Sequence, residues 1–462
     1  MDASDTEGTG VWEHLADRIR GEVLTTNETG YDEARMVWNG LIDHHPVVIV
    51  RCTGTADVRE AVTLAREMEL PVSVKCGGHL TTGEAVRNDG LVIDLSPMNA
   101  VRVDSSTQTV RVQGGATWGD VYHETQPFGL LAPGGWDDEV GVGGFTLGGG
   151  QGVTVRTEGM ACDCLVEVDV VIADGDVVTA SETQNQDLFW AIRGGGGNFG
   201  VVTSFVFECF ELPTKFRTAA RYYPLEAGPA VFRHWREVFP TLPSELIPTL
   251  AVTSLPEHPE IPETAYGEPG VLVYLVYIGD PDEAATVVDQ SLAPEESLLT
   301  IDEVVPFLEA FGASPSGVRR HWESIYLDEI SDELIEVLLN DLLPFPNQTT
   351  TISIFGFGEL LERYGPTDTA YAHRESPYQL MLSVNWEDSK ADEPNRTWAR
   401  QTYEALKPLG SGEYLNLQTD IDTERLTAVF GHNLDRLQSI KAKWDPENLF
   451  QPAQNVPPVT SE

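Results

Sequence analysis

Lysine is nearly absent: only six occur among 462 residues, at positions 75, 215, 390, 407, 441 and 443. Lys and Arg together number 29 against 73 Asp and Glu, a formal net charge of −44. A surface so short of cations lacks the clusters that neutralise phosphates, which excludes a nucleic-acid binder. The acidic residues are spread through every segment; they repel one another at low salt, whereas a Debye length of roughly 3 Å at 1 M salt screens them. This balance points to a protein of a salt-accumulating halophile. Long apolar runs are missing too: no segment supplies the roughly 18 apolar residues of a membrane span. The N-terminal "MDASDTEGTGVWEHLADRIRGEV" has neither an apolar h-region nor a twin arginine. A soluble cytoplasmic protein is expected. Cysteine is also scarce. Cys52, Cys76, Cys162, Cys164 and Cys209 are odd in number and lie in apolar or Gly-rich surroundings, which reads as buried thiols. Cys162 and Cys164 have no second Cys pair or His partner, so no metal site is expected.

Glycine is plentiful, with 42 residues. The length suits about two to three domains with sizeable cores. In "ADVREAVTLAREMEL" (56–70), Val58, Ala61, Val62, Ala65 and Leu70 recur at helical spacing, and Pro71 stops the helix before the strand "VSV". Two hairpins follow, "AVRVDSSTQTVRVQGG" and "EVDVVIADGDVVTAS", the second with an Asp174-Gly175 turn; a short helix begins between them near Thr117. A helix at "DLFWAIR" and a strand at "VVTSFVFECF" close this region near residue 212. From 213 to 415 the texture shifts to Pro-rich loops, acidic helices such as "DELIEVLLNDLL" and apolar strands such as "TTTISIFGF" and "YQLMLSVNW". The last segment, "ERLTAVFGHNLDRLQSIKAKWDPENLF", is expected to form an amphipathic helix with Leu434, Leu437 and Ile440 on one face.

Four Gly-rich stretches lie in the first region: "CGGHLTTG" (76–83), "APGGWDDEVGVGGFTLGGGQG" (132–152), "TEGM" (157–160) and "RGGGGNFGVV" (193–202). Each adjoins a strand. Together they suit a long ligand whose phosphates accept backbone N–H hydrogen bonds, and a dinucleotide fits that description. Glycine used for turns alone explains one such stretch but not four. A Rossmann site fits worse, because "GVGGFTLGGG" lacks an early βαβ unit with an acidic residue about 20 positions on.

The strings "YDEARMVWNGLIDHHPVVIVRC", "VSVKCGGHLTTG", "LVIDLSPMNAVRVD", "GGATWGDV", "GVGGFTLGGGQG", "GMACDCL", "DLFWAIRGGGGNFGVVTSF" and "FGHNLDRLQSIKAKWDPENLFQPAQNV" occur in this order. They resemble the berberine bridge enzyme-like FAD-linked oxidases of the vanillyl-alcohol oxidase/PCMH superfamily. The resemblance implies an α+β fold: a two-part PCMH-type FAD-binding domain (30–212, completed by the C-terminal segment 416–462) and a substrate domain (213–415) with an antiparallel sheet covered by helices. It implies that His79 is bonded through its ring nitrogen to the 8α carbon of FAD. It implies that Cys76, Gly77 and Gly78 wrap the pyrophosphate with backbone N–H groups and that Leu80 and Gly83 also bind the cofactor. By the same resemblance Gly134, Gly135, Gly141, Gly144, Gly148 and Gly150 line the other side of the cofactor, Gly200 and Val202 border its adenosine half, and Asn433 and Asn455 return to the isoalloxazine. A second, cysteinyl link is not expected, because "GWDDEVGVGG" puts Asp137 at the usual cysteine, and Phe145 stands where doubly linked relatives have a histidine. Val140 matches the position that controls oxygen access.

The implied reaction removes a hydride from a C–H next to oxygen or nitrogen of a small alcohol, sugar or amine, with molecular oxygen as acceptor. The implied alternatives are a dehydrogenase with another acceptor and a flavin-holding protein without turnover. An alcohol needs a base for its hydroxyl proton; an amine can do without one. Where plant relatives carry a carboxylate, before the matched Trp386, this chain has Met381. Alternation puts Gln379, Met381, Ser383 and Asn385 on one face and Tyr378 on the other. His432 and His373, with Tyr378, are the candidate catalytic residues.

Overall fold

A computed structural model describes residues 4–211, 215–309, 314–358, 363–421 and 423–459; the expected boundary at 212–213 lies outside the described residues. The apolar strands Val48–Arg51, Leu91–Asp94 and Val72–Lys75 run parallel, and Glu22–Leu24 adds an antiparallel edge. The helix Thr55–Glu67 covers this sheet with Val58, Ala61, Val62 and Ala65 fully buried. It ends one turn before Leu70, where Glu69 turns left-handed (φ 52°), so Leu70 lies beyond the helix.

Five antiparallel strands form the next sheet, in the order Val101–Asp104, Thr109–Gln113, Val201–Glu208, Leu165–Val171, Val177–Ser181. Both expected hairpins are present, and Gly175 takes the positive φ of 86° that the second turn requires. The helix Trp118–Thr125 starts at a capping box: Thr117 accepts from the Asp120 N–H while Asp120 accepts from the Thr117 N–H.

Seven antiparallel strands build the sheet of the 213–415 region: Leu299–Pro306, Lys215–Pro224, Pro269–Tyr277, Leu246–Ser254, Thr351–Gly356, Tyr378–Trp386 and Arg319–Leu327. Alternation along Tyr378–Trp386 explains its two faces. Tyr378, Leu380, Leu382, Val384 and Trp386 pack in one core with Val231, Phe232 and Trp235 of the helix Gly228–Val238 and Ala399 and Tyr403 of Asp392–Leu406. Burial of such a side chain stabilises by about 1.5–3 kcal/mol. The opposite face, with Phe355 and Met381, turns toward the first region and borders a cavity.

Two segments differ from the expected single helices. "DELIEVLLNDLL" is helical over Asp332–Glu336 and continues as a wider π-helical turn through Asp341. The last segment is broken at Gly431 (φ 50°) into Leu426–Phe430 and Leu434–Trp444. Its second half lies against the first region, where the buried Lys441 ammonium donates to Asn198 O, Phe450 O and Asp445. The two regions are also fastened directly: Arg374 donates twice to Asp163, at 3.0 and 2.5 Å, with both side chains buried.

Candidate active site

A cavity of about 420 Å³ lies between the two regions. The strand Val72–Lys75 delivers the chain to its wall at Cys76, Gly77, Gly78, His79 and Leu80. Gly78 turns with φ 68°, a conformation that suits glycine. Gly77 meets Gly141 backbone to backbone, since a Cβ on Gly77 would stand 2.5 Å from the Gly141 nitrogen. The Cys76 thiol donates to Ala116 O, and burial pushes its pKa up to about 11, so it stays an unreactive thiol.

His79 stacks on Trp38 with ring centroids 4.9 Å apart. The guanidinium of Arg320 sits 3.5 Å from the centroid of the Trp38 ring and donates to the carbonyls of Trp38, Val318 and Pro315. Burial lowers the His79 pKa to about 4; Asp137 and Asp138 oppose the shift and the charge of Arg320 adds to it. The imidazole is therefore neutral above about pH 5, with its lone pair available. Asp137 is held by the backbone N–H groups of Ser314 and Glu139.

Gly135, Val140, Gly141, Gly144, Phe145, Gly200 and Val202 also stand on the wall. Two wall glycines, Gly144 and Gly197, have nothing within 4 Å of the place a Cβ would take. Those openings fit a cofactor that approaches the backbone closely. Gly83, Gly134, Gly148 and Gly150 stand off the wall and serve close packing instead: a Cβ would come within 2.5 Å of Ile42, 2.3 Å of the Tyr122 hydroxyl, 2.0 Å of Asn416 and 2.6 Å of Ala161 respectively. Asn433 is also off the wall, its amide donating to the carbonyls of Pro366, Thr369 and Ala370. Asn455 is not on the wall either; its neighbour Gln454 lines the cavity and donates to Leu415 O.

The three candidate catalytic residues are not brought to the cavity. His432 is exposed and bonded to Pro366 O. His373 shares Nε2 between Ala428 O and Val429 O and stacks on Tyr326. Tyr378 lies on the helix-covered face against Trp235 and Phe239. The wall instead carries Tyr414, Gln151 and Asn416. The Tyr414 hydroxyl accepts from Gly150 N (3.0 Å), Gln151 N (3.2 Å) and Asn416 Nδ2 (3.1 Å). Next to it, Gln151 donates to the Tyr326 hydroxyl, which is 2.5 Å from that of Tyr371. Burial raises the pKa of all three tyrosines, so they are neutral phenols. No periodicity marks "EYLNLQ" in the sequence; only the tertiary fold brings it beside Gln151.

Comparison with known proteins agrees with this geometry. The family model described as FAD binding domain matches residues 46–181, and the one described as berberine and berberine like matches 413–457. The FAD-linked oxidoreductase YgaK of Bacillus subtilis is 29% identical, with 96% of this chain and 98% of the relative covered. The structure of 6-hydroxy-D-nicotine oxidase from Arthrobacter nicotinovorans superposes with a TM-score of 0.85 at 26% identity, covering 95% of this chain and 98% of that one. A chitooligosaccharide oxidase shares the fold, with a TM-score of 0.83 at 23% identity over 96% of this chain and 99% of that one. The fold and site thus define a PCMH-type FAD-binding enzyme. The chain is similar to the berberine bridge enzyme-like FAD-linked oxidoreductases in its FAD-binding segment and its C-terminal segment.

Proposed function

We propose that this enzyme is an oxidase that removes a hydride from a C–H next to oxygen or nitrogen of a small molecule and passes the electrons to oxygen, releasing hydrogen peroxide. The observation that carries the reading is one cavity shared by the neutral His79, the open glycines Gly144 and Gly197, and the sheet residues Phe355 and Met381. FAD supplies, when bound, the two-electron acceptor for this chemistry. His79 is the single covalent anchor, its ring aligned by Trp38; the backbone from Cys76 to Gly78 and the turn around Gly141 hold the pyrophosphate. With no carboxylate in the place of Met381, the sheet side of the cavity offers neutral hydrogen-bonding groups, Tyr414 foremost, to a substrate's heteroatom.

Val140 stands on the cavity wall and is the residue that controls oxygen access in this reading. The test is to reduce the holoenzyme with dithionite without air, admit oxygen and follow the flavin absorbance together with peroxide. Rapid reoxidation with stoichiometric peroxide is expected, and Val140→Ile is expected to slow it about tenfold or more, equivalent to about 1.4 kcal/mol on the barrier. Reoxidation no faster than that of a dehydrogenase in the same buffer contradicts the oxidase reading.

The protein works in the cytosol of a salt-accumulating cell. Its net charge of −44 supports this, because the self-repulsion it creates is relieved only by concentrated counter-ions. Its thermal midpoint is expected to rise between about 0.1 and 2 M KCl, as screening strengthens. A midpoint that falls or stays level over that range contradicts the halophilic reading.

A further inference from the structure

The strands of the seven-stranded sheet and the residues at their ends supply Ile247, Pro248, Trp322, Phe355, Phe357 and Met381 to the cavity face, and Ser314 of a neighbouring loop lies beside them. None of these sheet residues is charged, and the one polar atom among their side chains, the Trp322 Nε1–H, is spent on Asn385 Oδ1 at 3.1 Å. The charged residues of the cavity, Glu84, Arg87 and Asp137, stand on walls that the first region supplies. Asp137 takes backbone N–H bonds from Ser314 and Glu139, and the Arg320 guanidinium bonds three carbonyls. A charged substrate group would lose its water against the sheet face and gain no partner from it. A sugar would bring several hydroxyls to a face where only the Ser314 hydroxyl could answer them, each unpaired one weakening binding by roughly tenfold or more.

Tyr414, with Gln151 and Asn416 beside it, forms the polar part of the wall next to this face. Its oxygen already receives three N–H groups, more than its two lone pairs accommodate, and no acceptor for its own proton occurs among the described residues. The Asn416 amide is oriented independently by its second bond, from Nδ2 to Phe145 O at 2.9 Å. The phenol keeps its proton, because burial raises its pKa. The direction left to that proton is the cavity that Tyr414 lines.

Resting on the flavin-oxidase reading, we propose that the substrate is a neutral, largely apolar molecule with an aromatic ring, held by one directed hydrogen bond from the Tyr414 hydroxyl to the oxygen or nitrogen beside the oxidised carbon. Sugars are excluded although the fold accommodates a chitooligosaccharide oxidase elsewhere. The aromatic and thioether side chains Phe355, Phe357, Trp322 and Met381 receive the ring. An amine binds in its uncharged form.

The test uses the holoenzyme without air at molar salt and four probes: 4-methoxybenzyl alcohol, N-methylaniline, D-glucose and N,N′-diacetylchitobiose. At least one aromatic probe is expected to reduce the flavin with an efficiency about 100-fold or more above both sugars, the accumulated effect of two or more unanswered hydroxyls. Tyr414→Phe is expected to lower that efficiency about tenfold, chiefly through weaker binding, with the flavin spectrum and the rate of dithionite reduction unchanged. A sugar that reduces the flavin as well as the aromatic probes overturns the proposal, as does the absence of any flavin reduction or spectral perturbation by either aromatic probe. The panel with the wild-type protein decides the matter even if the variant folds poorly. Failure of the oxidase reading looks different: flavin reduced by dithionite would then resist reoxidation by oxygen, whatever the probes do.

Discussion

Arg374→Met is expected to destabilise the protein by about 3–5 kcal/mol, because it strands the Asp163 carboxylate in a buried site. Arg374 is 1% exposed and Asp163 0% exposed, and the guanidinium makes two bonds to the carboxylate and one to the Thr369 hydroxyl. The rings of Tyr364 and Tyr371 lie near the same guanidinium, each about 5.2 Å from it. Because Asp163 belongs to the first region and Arg374 to the second, the loss loosens the contact between them. The double variant Asp163→Asn/Arg374→Met removes both charges and is expected to melt well above the single Arg374→Met variant. Equal melting of the two would show that packing, not the stranded charge, sets the cost. The more exposed Arg217–Asp302 pair, 2.7 Å apart, is a useful control: its loss is expected to cost only about 0–1 kcal/mol.

The second large effect concerns Trp38. Trp38→Ala removes the ring on which His79 stacks and from which Arg320 is suspended, so His79 gains water and loses its fixed orientation. The sign follows from the depressed pKa. In the wild type the imidazole is neutral at every pH above its value of about 4, and flavin attachment should stay level from about pH 8 down to about pH 5. In the variant the pKa returns toward roughly 6.5, and attachment is expected to fall off as pH drops through that value. Denatured-state flavin absorbance after incubating apoprotein with FAD across this range reads the effect without any substrate. Identical profiles for wild type and variant would rule out a role for Trp38 in keeping His79 neutral. Folding stability carries the same sign: between about pH 6.5 and 4 the unfolded chain binds a proton at His79 that the folded chain refuses, so this residue's contribution becomes less favourable as pH falls.

Local backbone demands were legible in the sequence. The double glycine before His79, the Asp174-Gly175 turn and the alternation of Tyr378–Trp386 each constrain a few neighbouring residues, and each has the local form expected. What depends on distant chain was not legible. Asn433 resembles a cofactor contact by motif, yet three carbonyls from residues 366, 369 and 370 occupy its amide. His373 and His432 have chemistry suited to catalysis, but backbone carbonyls engage the ring of each. Tyr414 escaped notice for the converse reason: its partners Gly150 and Gln151 are more than 260 positions away, and no local pattern joins them. The break at Gly431 was hidden because the flanking segments each keep helical spacing, and only the positive φ at Gly431 separates them.

The covalent anchor at His79 can be tested without knowing the substrate. The visible spectrum and intact mass of the denatured wild-type protein, beside His79→Ala, both prepared at molar salt, test it most directly. Flavin absorbance is expected to stay with the denatured wild-type chain, with a mass increased by that of one FAD, and neither signal is expected in the variant. Flavin released from both proteins on denaturation would contradict it and leave His79 a loop residue stacked on Trp38.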